Sequence, residues 1–175
     1  MKLIENIYLI GFMGVGKSAT QRALANMTGA PSVDTDELIE EKLGLTISDI
    51  FDKYGEDHFR KTETEVLKEL TEKSPLIVSC GGGVVKKEEN IEILKKGGKV
   101  FYLKADPKVI LSRVEGRDTR PLLKGHMSVE GINELLLPRI PFYEKAKDFI
   151  VRTDDKTPSE VAADIIAILE KNAEN

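Results

Sequence analysis

Short apolar runs alternate with amphipathic stretches along the chain, and this rhythm predicts strands separated by helices. Residues 7–10 form a β-rich run that ends at Gly11 and reads as a buried strand. From residue 17 to 27, "KSATQRALANM" collects good helix formers and stops near Thr28-Gly29, a suitable C-cap. "PSVDTD" offers a very short strand. Two helical pieces follow, at about 36–43 and 47–54, with Thr46 as N-cap of the second, and then a longer helix over 56–72. "LIVSC" is a second apolar strand running into Gly81-Gly82-Gly83. A helix near 88–96 leads to a third strand, "KVFYLK", and Asp106-Pro107 opens another helix. Residues 116–127, "GRDTRPLLKGHM", break the rhythm; they are basic, bounded by glycine and aperiodic, as a surface loop would be. A helix over about 129–146, interrupted near Pro138 and Pro141, precedes the strand "DFIVRT", a "DDKTP" turn and a last helix from Pro158 to about 171.

Strands alternating with helices imply βαβ units, and so an α/β domain whose parallel sheet has helices on both faces. In such sheets ligands sit beyond the carboxyl ends of the strands. Both glycine-rich stretches, the "DTD" and the "DDKTP" turn fall at those ends, which is the first sign of one shared site. Length and composition fit this picture. At 175 residues, 41% hydrophobic and 32% charged, the chain reads as one globular domain over 1–175. A net charge of −4 argues against a nucleic-acid binder. A single cysteine, Cys80, excludes an internal disulfide and suits a reducing compartment. No early segment resembles a secretory signal and no apolar run nears the roughly 20 residues of a membrane span, so a cytoplasmic location is expected.

The sharpest motif is "GFMGVGKS", residues 11–18, which matches G-x-x-x-x-G-K-[ST] between a predicted strand and a predicted helix. Glycines let successive backbone N–H groups converge on phosphate oxygens, and the helix start adds its positive dipole end. Lys17 would reach the β- and γ-phosphates, and Ser18 would ligate Mg²⁺. Asp34 and Asp36 lie two apart, a spacing that points both carboxylates to one side of an extended chain, one for a metal and one for an acceptor hydroxyl. The alternative is a turn with an Asp N-cap. Arg60 and Glu63 share a helical face, either as a plain ion pair or as a carboxylate-binding fork held by an acid. The triple glycine allows close approach of a ligand to backbone, or is a tight turn. Arg117, Arg120 and Arg139 are either solvated cations or neutralisers of a transferring phosphoryl group. His58 and His126 lack metal-ligand spacing and read as surface residues, and Cys80 as a small buried one. Phe51 and Phe59 are helix-core residues or the wall of a ring-shaped substrate.

The ordered set "GFMGVGKS", "DTD", "FRKTE", "CGGG", "RPLL" and "RIPFYEKA" resembles shikimate kinases, within the nucleoside monophosphate kinase-like P-loop fold, over essentially the whole chain. The resemblance implies a three-layer fold with a five-stranded parallel sheet, a helical substrate-binding region at about 35–62 and a lid at about 114–127. It implies transfer of the ATP γ-phosphoryl to the 3-hydroxyl of shikimate, with Mg²⁺ as cofactor, by a monomer. On this resemblance Gly11, Gly14, Val15, Gly16, Lys17, Ser18 and Ala19 cradle the nucleotide. Ser18 and Asp34 serve the metal, and Arg117 and Pro158 sandwich the adenine. Asp36 orients or deprotonates the attacking hydroxyl. Arg60, Arg139, Gly82 and Gly83 hold shikimate, while Arg120 swings in with the lid; Lys17, Asp36 and Arg120 form the catalytic group. Two departures stand out: Ala19 replaces a frequent hydroxyl residue, and the "LIVSC" strand has Ser79 and Cys80 but no Walker B aspartate. A gluconate kinase-like enzyme and a non-catalytic nucleotide-binding module are the rival readings.

Overall fold

The computed structural model describes residues 1–73, 75–115 and 123–173. Its sheet has five strands: β1 (Asn6–Ile10), β2 (Ser32–Asp34), β3 (Ile77–Ser79), β4 (Gly98–Lys104) and β5 (Phe149–Arg152). They lie in the order β2-β3-β1-β4-β5, with every neighbouring pair parallel. All five residues of β1 are buried, which requires cover on both faces of the sheet. Helices α1 (Lys17–Thr28) and α8 (Pro158–Ala173) pack on each other, as do α3 (Ile47–Thr71), α4 (Glu88–Gly97) and α7 (Ile140–Ala146) in turn. The set is completed by α2 (Thr35–Leu43), α5 (Pro107–Val114) and α6 (Val129–Leu136). No helix among the described residues is long and apolar enough to cross a membrane.

The local signals act as their chemistry dictates. Gly29 ends α1 in the left-handed conformation, its N–H donating to Ala25 O. Thr46 caps α3 by accepting from Asp49 N, and Asp106 caps α5 ahead of Pro107. Within α3 the backbone leaves helical angles at Gly55, φ 82° and ψ 170°, so the segment is two helices meeting where the 47–54 and 56–72 pieces meet in the sequence reading. Pro138 sits in a short 3₁₀ turn, Leu137–Arg139, that separates α6 from α7.

The strand order positions the site. From β1 the chain crosses past β3 to reach β2, whereas from β3 it crosses past β1 to reach β4. The two connections leave neighbouring strands in opposite directions and open a crevice between their carboxyl ends. The loop from Gly11 and the run Gly81-Gly82-Gly83 are the segments that follow those two strands.

Candidate functional site

The loop between β1 and α1 is a preformed anion cradle. Gly14 (φ 81°) and Gly16 (φ 99°) both adopt left-handed backbone, and Gly16 is the N-cap of α1. A Cβ on Gly14 would come within 2.7 Å of Val114 Cγ1, so packing as well as conformation demands glycine there. Helices α2, α3, α5 and α6 each have a side-chain oxygen accepting from an N-terminal N–H, but α1 has no such cap and no acid in its first turn. Its positive end is left to an outside anion. Lys17, 8% exposed, donates to Gly11 O at 2.6 Å and Phe12 O at 3.0 Å, which holds its ammonium against the loop.

Beside the cradle, Ser18 Oγ donates to Asp34 Oδ2 at 2.7 Å. Asp34 also caps α2, its Oδ1 accepting from Asp36 N at 2.9 Å. The two aspartates are therefore not on one extended strand, as their spacing suggested. Asp34 ends β2 and Asp36 stands in the first turn of α2, because Asp34 starts the helix itself; the cap reading and the site reading hold together. Both line a cleft of about 330 Å³ with Gly14, Val15, Gly16, Lys17, Ser18 and Ala19. Gly82 and Pro158 line it as well.

The triple glycine is where the remaining charged groups converge. Gly81 N donates to the buried Thr35 Oγ1 at 3.0 Å, tying the run to the start of α2. A Cβ on Gly81 would lie 2.8 Å from Asp36 Oδ1 and 2.9 Å from Glu63 Oε2. On Gly82 it would meet Met13 N and Gly11 O, with Arg139 Nη1 at 3.6 Å. On Gly83 it would strike the Arg60 guanidinium at 2.4 Å. Gly81 and Gly83 are thus kept free of side chains by the charged groups packed against them, while a Cβ at Gly82 would make only ordinary contacts. Tyr143 OH donates to Gly82 O and fixes the middle of the run.

Arg60 is 6% exposed and donates through Nη1 to Glu63 Oε1 at 3.0 Å and through Nη2 to Glu56 Oε1 at 3.3 Å. Glu63 is fully buried, and burial raises its carboxyl to about 7 against the pull of Arg60. Its Oε2 has no hydrogen-bond partner among the described residues. Arg139, 5% exposed, lies over the Phe12 ring at 5.4 Å, and its Nη1 is likewise buried and unpaired there. Two buried guanidinium groups thus stand beside glycine backbone, and a guanidinium is a planar donor suited to carboxylates. The Phe51 and Phe59 rings pack tilted at 5.0 Å, with Arg60 over the Phe59 ring.

Other expectations fare variously. Cys80 is buried, and burial pushes its thiol well up, so it is a protonated core residue. His126 Nδ1 lies 3.5 Å from Glu134 Oε2, and the His58 ring packs tilted against Tyr54. Among the described residues no group of three His, Cys, Asp or Glu could hold a metal. Arg117, Arg120 and half of the lid at 114–127 lie outside the described residues. Arg113 of α5, which sequence reasoning passed over, lines the cleft with Pro158. It donates to Val15 O at 3.1 Å and to Thr153 Oγ1 and O at 3.0 and 2.9 Å, while Thr153 Oγ1 donates to Val15 O at 2.8 Å. These bonds occupy the Val15 carbonyl and brace the cradle.

The shikimate kinase family profile matches residues 13–170. The chain is 45% identical over 168 residues to the shikimate kinase of Thermodesulfovibrio yellowstonii, covering 96% of each protein. Among solved structures it is similar to the shikimate kinase of Acinetobacter baumannii in complex with shikimate, with TM-score 0.92 and 37% identity over 96% of this chain and 94% of that one. The shikimate kinase of Aquifex aeolicus gives TM-score 0.83 and 39% identity over 99% and 98% of the two chains.

Proposed function

The chain belongs to the shikimate kinase family, and on that premise we propose that it phosphorylates the 3-hydroxyl of shikimate from ATP, yielding shikimate 3-phosphate and ADP in the chorismate route to aromatic amino acids. One observation supports the assignment most: the donor cradle, Asp36 and two buried arginines all meet at Gly81-Gly82-Gly83.

The residues divide the work by charge. Backbone N–H groups of the loop from Gly11 to Ala19, the uncapped end of α1 and Lys17 take the triphosphate. Ser18 and Asp34 present hard oxygens 2.7 Å apart in a partly buried corner, a donor set that fits Mg²⁺. When bound there, the ion would neutralise charge on the β- and γ-phosphates. Arg113 and Pro158, which share the cleft, bound its nucleoside end, where the resemblance also gives Arg117 an adenine contact.

At the other end, Arg60 and Arg139 grip the acceptor carboxylate, with Gly82 and Gly83 offering backbone at close range. Glu63 and Glu56 hold the Arg60 fork at a fixed angle. Asp36, in the wall between the two halves, orients the 3-hydroxyl. As the hydroxyl oxygen bonds to the γ-phosphorus, the bond to the ADP oxygen breaks and Asp36 takes the hydroxyl proton. Transfer through a loose transition state needs positioning and charge neutralisation more than covalent help. Arg120 completes that neutralisation from the lid. The enzyme is proposed to act as a monomer, and the lone buried thiol suits the cytoplasm.

A coupled assay of ADP release tests the proposal, with shikimate, gluconate and a nucleoside monophosphate as separate acceptors. Release with shikimate alone is expected. Release with another acceptor only, or none with any, would overturn it.

A further inference from the structure

Beside the Ser18–Asp34 pair stands a third oxygen to which phosphoryl transfer, as described, gives no task. Ser79 ends β3, in register with Leu9 of β1 on one side and Asp34 of β2 on the other. Its neighbours Leu76, Ile77, Val78 and Cys80 are all buried and apolar or nearly so, and Ser79 itself is 1% exposed. A hydroxyl withdrawn from water without a good hydrogen bond costs about 1–3 kcal/mol. The hydroxyl–hydroxyl contact to Ser18 Oγ is 3.4 Å, long for such a bond, and Ser18 gives its own proton to Asp34. A small apolar residue would fill this place in the strand at lower cost. The hydroxyl is therefore there for a ligand, and it lines the cleft at the corner where Ser18 and Asp34 meet.

We propose that Ser79 is the third protein oxygen of the divalent-cation site, holding a cation-bound water in the place where a Walker B aspartate would stand. The inference rests on the nucleotide reading above. Its logic is one of charge and of donor chemistry. Magnesium gives up its waters reluctantly and is commonly bound by few protein ligands, so oxygens that hold those waters fix its position. A hydroxyl both donates and accepts, and can turn to suit a bound water. A carboxylate at position 79 would add a further negative charge to a corner that already has Asp34 and, beyond Gly81, Asp36 and Glu63. A neutral oxygen supplies the contact without repelling an anionic acceptor.

The test uses Mn²⁺ as the probe cation and ADP as the nucleotide. ADP affinity is first measured by calorimetry in EDTA, and Mn²⁺ is then titrated into the protein–ADP complex by electron paramagnetic resonance. Ser79→Ala is expected to weaken Mn²⁺ binding about tenfold, at the lower end for lost outer-sphere partners, with metal-free ADP binding unchanged. Ser79→Thr, which keeps the hydroxyl, is expected to retain Mn²⁺ affinity. Wild-type Mn²⁺ affinity in Ser79→Ala, or an equal loss of metal-free ADP binding, overturns the proposal. A wild-type protein that binds no ADP in EDTA would overturn the nucleotide reading and this inference with it.

Discussion

Replacing Gly83 by alanine tests the acceptor half of the site with a single methyl group. Gly83 has φ −98° and ψ 9°, angles open to any residue, so alanine brings no backbone strain. The whole effect comes from the new Cβ, which would lie 2.4 Å from Arg60 Nη2 and 2.6 Å from both Cζ and Nη1. Ordinary contact needs about 3.5 Å, so the guanidinium must retreat by about 1 Å. It cannot do so and keep its place, because Glu63 at 3.0 Å and Glu56 at 3.3 Å hold it from the other side. A charge-assisted hydrogen bond lost to the acceptor carboxylate is worth about 1.5–3 kcal/mol, or about a 10- to 150-fold rise in the KM for shikimate. Steady-state kinetics with each substrate varied in turn would measure it, with thermal melting as a control for folding. The KM for ATP should stay near wild type, since the three atoms nearest the new methyl group all belong to Arg60. A shikimate KM equal to that of the wild type would remove Arg60 from the acceptor pocket.

Asp36→Asn should lower kcat far more than ATP affinity, and a variant with wild-type kcat would end the case for Asp36 as proton acceptor. Thr153→Val removes a buried hydroxyl that donates to Val15 O and accepts from Arg113. The two lost hydrogen bonds, at roughly 1 kcal/mol each, should weaken ADP binding by up to about 30-fold, and calorimetry reads it directly. Burial raises Glu63 from 4.5 to about 7, so between those values the folded chain keeps a proton that the unfolded chain has released. The stability from this group is full below pH 4.5 and is lost as pH rises to about 7. Denaturant titrations of Glu63→Gln should lack that downward slope, and an unchanged slope would show that Glu63 does not titrate there.

Much of this fold is legible in the sequence because each cue is local. Apolar runs mark β1, β3, β4 and β5, and Gly29, Thr46, Asp106 and Pro138 bound helices by chemistry that acts within one turn. Even the break at Gly55 falls between two helical pieces readable from the letters. The phosphate loop is equally plain, since one contiguous motif holds both its shape and its charge. The reason for the triple glycine is not local. Asp36, Glu63, Arg139 and Arg60 reach it from three different segments, and only the strand order brings them together. Arg113 was missed for the same reason. Its helix carries no motif that points to it, and its partners are backbone and hydroxyl groups 98 and 40 residues away along the chain. The pair at Asp34 and Asp36 was read with the wrong geometry, because the first aspartate ends its strand by capping the helix that holds the second.

The central claim is that one crevice delivers phosphate from the Gly11 loop to a hydroxyl held at Gly81-Gly82-Gly83. Phosphorus NMR of a mixture of protein, ATP, Mg²⁺ and shikimate tests it most directly. Equal growth of ADP and a phosphate monoester at the shikimate 3-hydroxyl, with no inorganic phosphate, is the expected result. Inorganic phosphate without the monoester, or a monoester at another hydroxyl, would contradict it.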